Sequence, residues 1–195
     1  MTQIKNYNFD TTKVTAICSD TSSTNHLWIA YAKNASNVCI LQKVSAHDLT
    51  QVYYEIEFSV DEITALHILG SYLYMTVDDS AYLGYKLGLN SPLTVQTAMA
   101  IPVGISEAPI SIANDGTYIY FLLPGNLSGE EATILKYSTS LVLNTTITLT
   151  GITNVKSFTI DTNSNIWCIT YESPSKLIRV YDDGGYTFTT TLLGS

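Results

Sequence analysis

The chain has 195 residues, 46% of them apolar and only 13% charged, with Lys+Arg 9 against Asp+Glu 17 and a net charge of −8. That length is enough for one full core. A single arginine, Arg179, in so acidic a chain argues against DNA, RNA or an anionic membrane surface as a partner, because those need clustered cations. No apolar run approaches the ~20 residues of a membrane span, and Met1 to Asp10 lacks the apolar centre of a signal peptide. The three cysteines, Cys18, Cys39 and Cys168, are odd in number and widely spaced, which reads as small buried side chains in a reducing compartment. A cytoplasmic or virion-associated protein is the expectation.

Helical periodicity is absent. Short β-branched and aromatic runs alternate instead with Gly, Asn, Asp, Ser and Pro. Met1 is followed by an alternating stretch over 2–9 that reads as an extra strand. Four units then follow, over about 13–59, 61–101, 107–149 and 153–193, in a single domain covering 1–195. The first unit runs Thr15-Ala16-Ile17-Cys18, Leu27-Trp28-Ile29, Lys43-Val44 and a Thr-rich alternating run from Leu49 to Phe58. The second runs Thr64-Ala65-Leu66-His67, Leu73-Tyr74-Met75, Lys86-Leu87 and Leu93 to Ile101. The third has Ile110-Ser111-Ile112-Ala113, Ile119-Tyr120-Phe121, Lys136-Tyr137 and Leu141 to Leu149. The fourth has Phe158-Thr159-Ile160-Asp161, Ile166-Trp167-Cys168, Arg179-Val180 and Tyr186 to Leu193. The second-segment aromatics Trp28, Tyr74, Tyr120 and Trp167 fall 46, 46 and 47 residues apart.

Four strand-like segments repeated at this period predict an all-β fold, a β-propeller with four four-stranded blades. A four-stranded sheet has two apolar faces and cannot bury both alone. Stacking sheets around an axis buries them, with the recurring aromatic as the filler between blades. Asn114-Asp115-Gly116-Thr117, Asp161 to Asn165 and Asp182-Asp183-Gly184-Gly185 supply the tight turns. The strand at 2–9 makes one strand too many for a self-closed ring. Three arrangements are open: a closed four-blade ring, which the length favours, part of a larger propeller, or two copies combining their blades.

The phrases NDGTYIYF (114–121), DTNSNIWCIT (161–170) and LIRVYDDGG (177–185) resemble the repeats of the NHL and streptogramin-lyase-like group, over about residues 13–193. That group includes binding platforms, structural modules and a few enzymes, so the resemblance implies architecture and leaves the function open.

Cys18, His67, Ala113 and Asp161 fall at equivalent places, just after each unit's apolar anchor. First strands line a propeller axis, so Cys18, His67 and Asp161 form a candidate axial cluster, of the types used for an activated thiolate or a metal. Packing in a narrow channel is the plainer reading, and no catalytic residue, metal ligand or cofactor is assigned. Asp161, Asn163 and Asn165 match the first half of a calcium loop without its Gly or its distal Glu, which reads as a polar turn. Lys43, Lys86, Lys136 and Arg179, one per unit, read as solvated residues pairing with acids. The 14 tyrosines suit protein interfaces or sugar stacking. The expectation is therefore a non-enzymatic scaffold or binding module contacting a partner protein or itself, such as a structural subunit of a phage or other virion. The alternatives are a lyase- or hydrolase-like enzyme with an axial site and a glycan-binding propeller.

Overall fold

The computed structural model of the chain describes residues 13–20, 25–90, 94–126, 129–171, 174–181 and 185–193. The strand expected over 2–9 and residues 182–184 of the last turn lie outside them. Among the described residues, four antiparallel sheets follow one another along the chain, each built of consecutive strands in the order first to fourth. The first blade is β1 (Val14–Ser19), β2 (His26–Tyr31), β3 (Cys39–Ser45) and β4 (Val52–Phe58); the second is β5 (Glu62–Leu69), β6 (Tyr72–Asp78), β7 (Tyr82–Gly88) and β8 (Thr94–Ala100). The third is β9 (Ser111–Asn114), β10 (Tyr118–Leu123), β11 (Thr133–Ser138) and β12 (Leu143–Thr148); the fourth is β13 (Val155–Ile160), β14 (Ile166–Thr170), β15 (Ser175–Tyr181) and β16 (Thr187–Leu193). No helix among the described residues is long and apolar enough to cross a membrane.

The first strands pack on one another in succession, β1 on β5, β5 on β9 and β9 on β13, so the sheets fan out from a line of inner strands. Second strands are apolar on both faces because both faces meet another sheet: Leu73 to Val77 and Ile119 to Leu123 are buried without a break. Each pair of neighbouring sheets shares one core. Trp28, Ala30 and Leu41 meet Leu66, Met75 and Leu87; Tyr74, Leu83 and Met99 meet Ile119, Phe121 and Tyr137; Tyr120, Leu122 and Ile134 meet Phe158, Cys168 and Ile178. A smaller cluster of Ile29, Tyr31 and Val44 lies on the far face of the first blade. Fourth strands form the rim and are mostly exposed, β8 and β16 most of all.

The turns are set by their side chains. Asp115 Oδ1 accepts from the Thr117 and Tyr118 N–H groups at 2.8 and 2.7 Å, and Gly116 takes φ +89 between them. Asp161 Oδ1 accepts from the Asn163 and Asn165 N–H groups at 2.8 and 2.9 Å, which is a polar turn closed on itself.

Gly84 marks the tightest point of the second blade. It lies across from Thr76 on β6 and Met99 on β8, and a Cβ there would run into the Met75 carbonyl. Gly84→Ala must push β7 off β6, at a cost of about 1–3 kcal/mol. Urea unfolding should show the midpoint fall with the slope unchanged; a wild-type midpoint would mean that the two strands can part freely.

Candidate functional site

Strand register decides which residues share a station. Cys18 lies opposite Trp28, His67 opposite Tyr74, and Ala113 opposite Tyr120. In the fourth blade the residue opposite Trp167 is Thr159. The equivalence drawn for Asp161 is therefore corrected by two residues. Asp161 belongs in the turn after the first strand, where its N–H bonds Asn165 as that of Asp20 bonds His26 and that of Asp115 bonds Tyr118. A shift of two keeps every side chain on the same face, so the apolar pattern gave no warning.

Nor do the three cluster residues interact with one another. Burial, reinforced by the Asp20 charge, pushes the Cys18 thiol up to about 12, so it stays protonated at neutral pH. Burial likewise pushes Cys168 up to about 12 and raises Cys39. His67 Nε2 lies 2.6 Å from Asn114 Nδ2, and this contact ties the inner strand of the second blade to that of the third. Asp161 is held well below the usual carboxylate range by hydrogen bonds from the Trp167 indole, the Asn165 amide and the turn N–H groups. Among the described residues no group of three His, Cys, Asp or Glu side chains is arranged to hold a metal ion.

What the register does bring together is a cation and an aromatic ring in every blade. Trp28 pairs directly with Lys43, Tyr74 with Lys86, Tyr120 with Lys136 and Trp167 with Arg179. The cation sits over the ring it faces, at 5.7, 5.8, 5.6 and 5.2 Å from the centroid. Lys86 also lies 3.9 Å from the Tyr72 ring and Lys136 4.4 Å from that of Tyr118. The reading of these cations as solvated is corrected for Lys136, which is buried, while the pairing with an acid expected of them holds for Lys43, bonded to Asp20. Single-strand spacing does not reveal such pairs; the fact that both residue types recur once per unit is the signal that could have done so.

In the first three blades this pair faces the next blade, and in the second and third the outer hairpin turn of that blade completes it. Lys86 Nζ and Tyr74 Oη both donate to the Thr139 carbonyl of the third blade, at 2.7 and 2.8 Å. Lys136 Nζ donates to Tyr186 Oη of the fourth at 2.8 Å. Burial pushes the Tyr74 phenol up to about 12, keeping it a donor, and pulls Lys86 down. The inner turn serves the other end of the ring. Tyr120 Oη donates to Asp115 Oδ2 at 2.7 Å, and Trp167 Nε1 to Asp161 Oδ2 at 3.0 Å. Burial opposes ionisation of Asp115, yet the Tyr118 N–H, the Tyr120 hydroxyl, the Thr117 N–H and the Lys136 charge outweigh it and hold the carboxyl below its ordinary range. In the first blade Asp20 is spent on Lys43 in a buried 2.6 Å ion pair, and the buried Trp28 indole N–H has no hydrogen-bond partner among the described residues.

A cavity of about 410 Å³ lies beside the third blade between the segment before β9 and the β10–β11 loop. Glu107, Glu130 and Glu131 line it with Leu123, Thr133 and Thr148. Glu107 Oε2 accepts from the Gly125 N–H at 2.9 Å, Glu131 Oε1 from the Gly151 N–H at 2.7 Å and Glu130 Oε2 from Asn126 Nδ2, so all three carboxylates brace loops. Burial raises Glu107, and its hydrogen-bonded neighbour Glu130 raises it further.

Compared with known proteins, the chain matches no protein-family model and no curated protein. Solved structures do match. A streptogramin B lyase structure superposes with a TM-score of 0.62 at 14% identity, over 92% of this chain and 54% of that one. A structure of a nidogen/laminin complex superposes with a TM-score of 0.58 at 15% identity, over 88% of this chain and 62% of that one. The chain spans little more than half the length of these propellers. At such identities the likeness is one of fold, and the fold is a β-propeller.

Since burial lowers the His67 pKa, the folded state favours the neutral ring and the unfolded chain binds the proton first. Stability present above the ordinary value of 6.5 is then lost as pH falls through the lower folded value. Thermal melts taken between about pH 7 and about pH 5 should show a fall in Tm that His67→Leu flattens. An unaltered slope in that variant would assign the fall to other groups.

Proposed function

We propose that the chain is a non-enzymatic propeller module that mediates protein–protein contacts, as a structural subunit of a larger assembly. One contrast carries this reading. The side chains with the chemistry for catalysis are committed to holding blades and turns, while apolar side chains stand open on the outer strands. Cys18 is a protonated thiol, His67 joins two blades and Asp161 closes a turn. Val52 and Tyr53 on β4, Val95 on β8, Leu143 on β12 and Leu192 on β16 are all exposed. Each outer strand also offers an unpaired backbone edge among the described residues, and such edges accept an added strand. The nidogen/laminin structure supports the reading as a case of a similar fold found in a protein complex. Exposed tyrosine with neutral polar neighbours suits such a surface better than a charged one would.

The test is photo-crosslinking from the rim in cells that make the protein naturally. A benzophenone side chain placed at Val95 or Leu143 should capture one and the same protein from both sites. The double variant Val95→Glu/Leu143→Glu should lose that partner while melting like the wild type. Capture equal to that from the exposed position Lys156, on the inner strand β13, would overturn the reading.

A further inference from the structure

We infer that two copies of this chain associate head to tail, the outer face of the fourth blade of each docking on the outer face of the first blade of the other. The inference rests on the reading above and names the partner for two surfaces of the same disc, away from the rim sites.

The register defines equivalent stations at every blade junction. Ala30, Thr76 and Leu122, on the second strands of the first three blades, face the following blade and are 0% exposed. Ile169 occupies that station in the fourth blade, paired with Leu177 as Ala30 is with Leu41 and Leu122 with Ile134, and is 40% exposed. On the receiving side, Leu66 and Phe158 face the preceding blade and are 8% and 7% exposed. Ile17 holds their station in the first blade, opposite Ile29 as Leu66 is opposite Met75, and is 57% exposed. One chain thus carries both halves of its own blade junction, and both are open at once.

The polar part of the junction is equally unfinished. Trp167 and Arg179 repeat the aromatic–cation pair and border an open cavity of about 220 Å³ with Leu177, Tyr181, Thr189 and Thr191. In the second and third blades that pair is met by an oxygen from the outer hairpin turn of the next blade, the Thr139 carbonyl or the Tyr186 hydroxyl. The Arg179 Nε is buried and has no hydrogen-bond partner among the described residues. A following blade would bring an acceptor to it. In the first blade the outer hairpin turn carries Leu49, which packs with the cluster of Ile29, Tyr31 and Val44 beside Ile17.

The occupant is a second copy because the matching half-junction exists on this chain, and because one copy spans only 54% and 62% of the two similar propellers. Two copies related by a two-fold axis would each supply one donor face and one receiving face, which closes the ring without a free end.

Light scattering on the 195-residue chain tests this. The wild type should weigh twice 21.4 kDa. Ile17→Asp and Ile169→Asp each ruin one half of every junction, so each alone should be monomeric, its dissociation constant raised about 100-fold or more. Both positions are exposed in a single copy, so both variants should keep the wild-type β signal and melt cooperatively. Mixed in equal amounts they should associate again through one of the two junctions, more weakly than the wild type, since the intact fourth blade of Ile17→Asp fits the intact first blade of Ile169→Asp. A monomeric wild type at high micromolar concentration would overturn the proposal, as would a dimer that survives Ile17→Asp or a mixture that fails to recover. Rim capture from Val95 and Leu143 would stand in all of these cases, so the two readings fail separately.

Discussion

The structure depends on one repeated contact: a cation on the third strand of a blade lying over an aromatic ring on the second, met in the second and third blades by the outer turn of the next blade. Everything apolar at a junction could slide, because a face of Leu, Ile and Val specifies no position. The pair removes that freedom. Lys86 and Tyr74 converge on a single carbonyl, that of Thr139, from which neither can shift without leaving a buried donor unmet. Each cation–ring contact contributes about 0.5–2 kcal/mol, a modest sum beside the apolar burial, but it acts in one direction only. Residue choice follows from this. The ring must have a polar edge, hence Tyr and Trp, and the cation must have a stem long enough to cross the strand beside it.

The architecture was legible from the sequence because burying both faces of each sheet forces the same residue types to return at the blade period. Trp28, Tyr74 and Tyr120 sit at the junctions for that reason. Register was less legible. A two-residue slip leaves a strand's apolar face unchanged, so Asp161 passed for the counterpart of Cys18 and His67 although it belongs with Asp20 and Asp115. The role of the lysines was hidden for a different reason. A charge in a strand reads as solvated unless its cross-strand neighbour is known, and that neighbour is fixed by pairing that no single segment records. The cavity beside Glu107 left no mark in the sequence, because it is bounded by loops braced through carboxylate-to-backbone contacts, Glu107 with Gly125 and Glu131 with Gly151, that no single segment records.

The ends of the stack follow from its middle. A junction built of two unlike faces leaves one of each kind open in any linear run of blades. Ile17 and Ile169 are therefore consequences of the repeat and need no separate explanation. The same logic separates the two kinds of surface on the molecule. Terminal faces repeat the stations of a blade junction, whereas the rim consists of Thr-rich strands whose edges are unpaired among the described residues. Polar groups that reach the interior, among them Lys86, Tyr74 and Asp115, serve as turn caps and junction donors.

The central claim, that the polar pair fixes how neighbouring blades sit, is tested most directly by a double-mutant cycle across one junction. Lys136 and Tyr186 meet at 2.8 Å between the third and fourth blades. Lys136→Met, Tyr186→Phe and the double variant, measured by urea unfolding, should give a coupling energy of about 1 kcal/mol or more. Effects that add to within about 0.3 kcal/mol would show that the blades are held by apolar burial alone and would contradict the account.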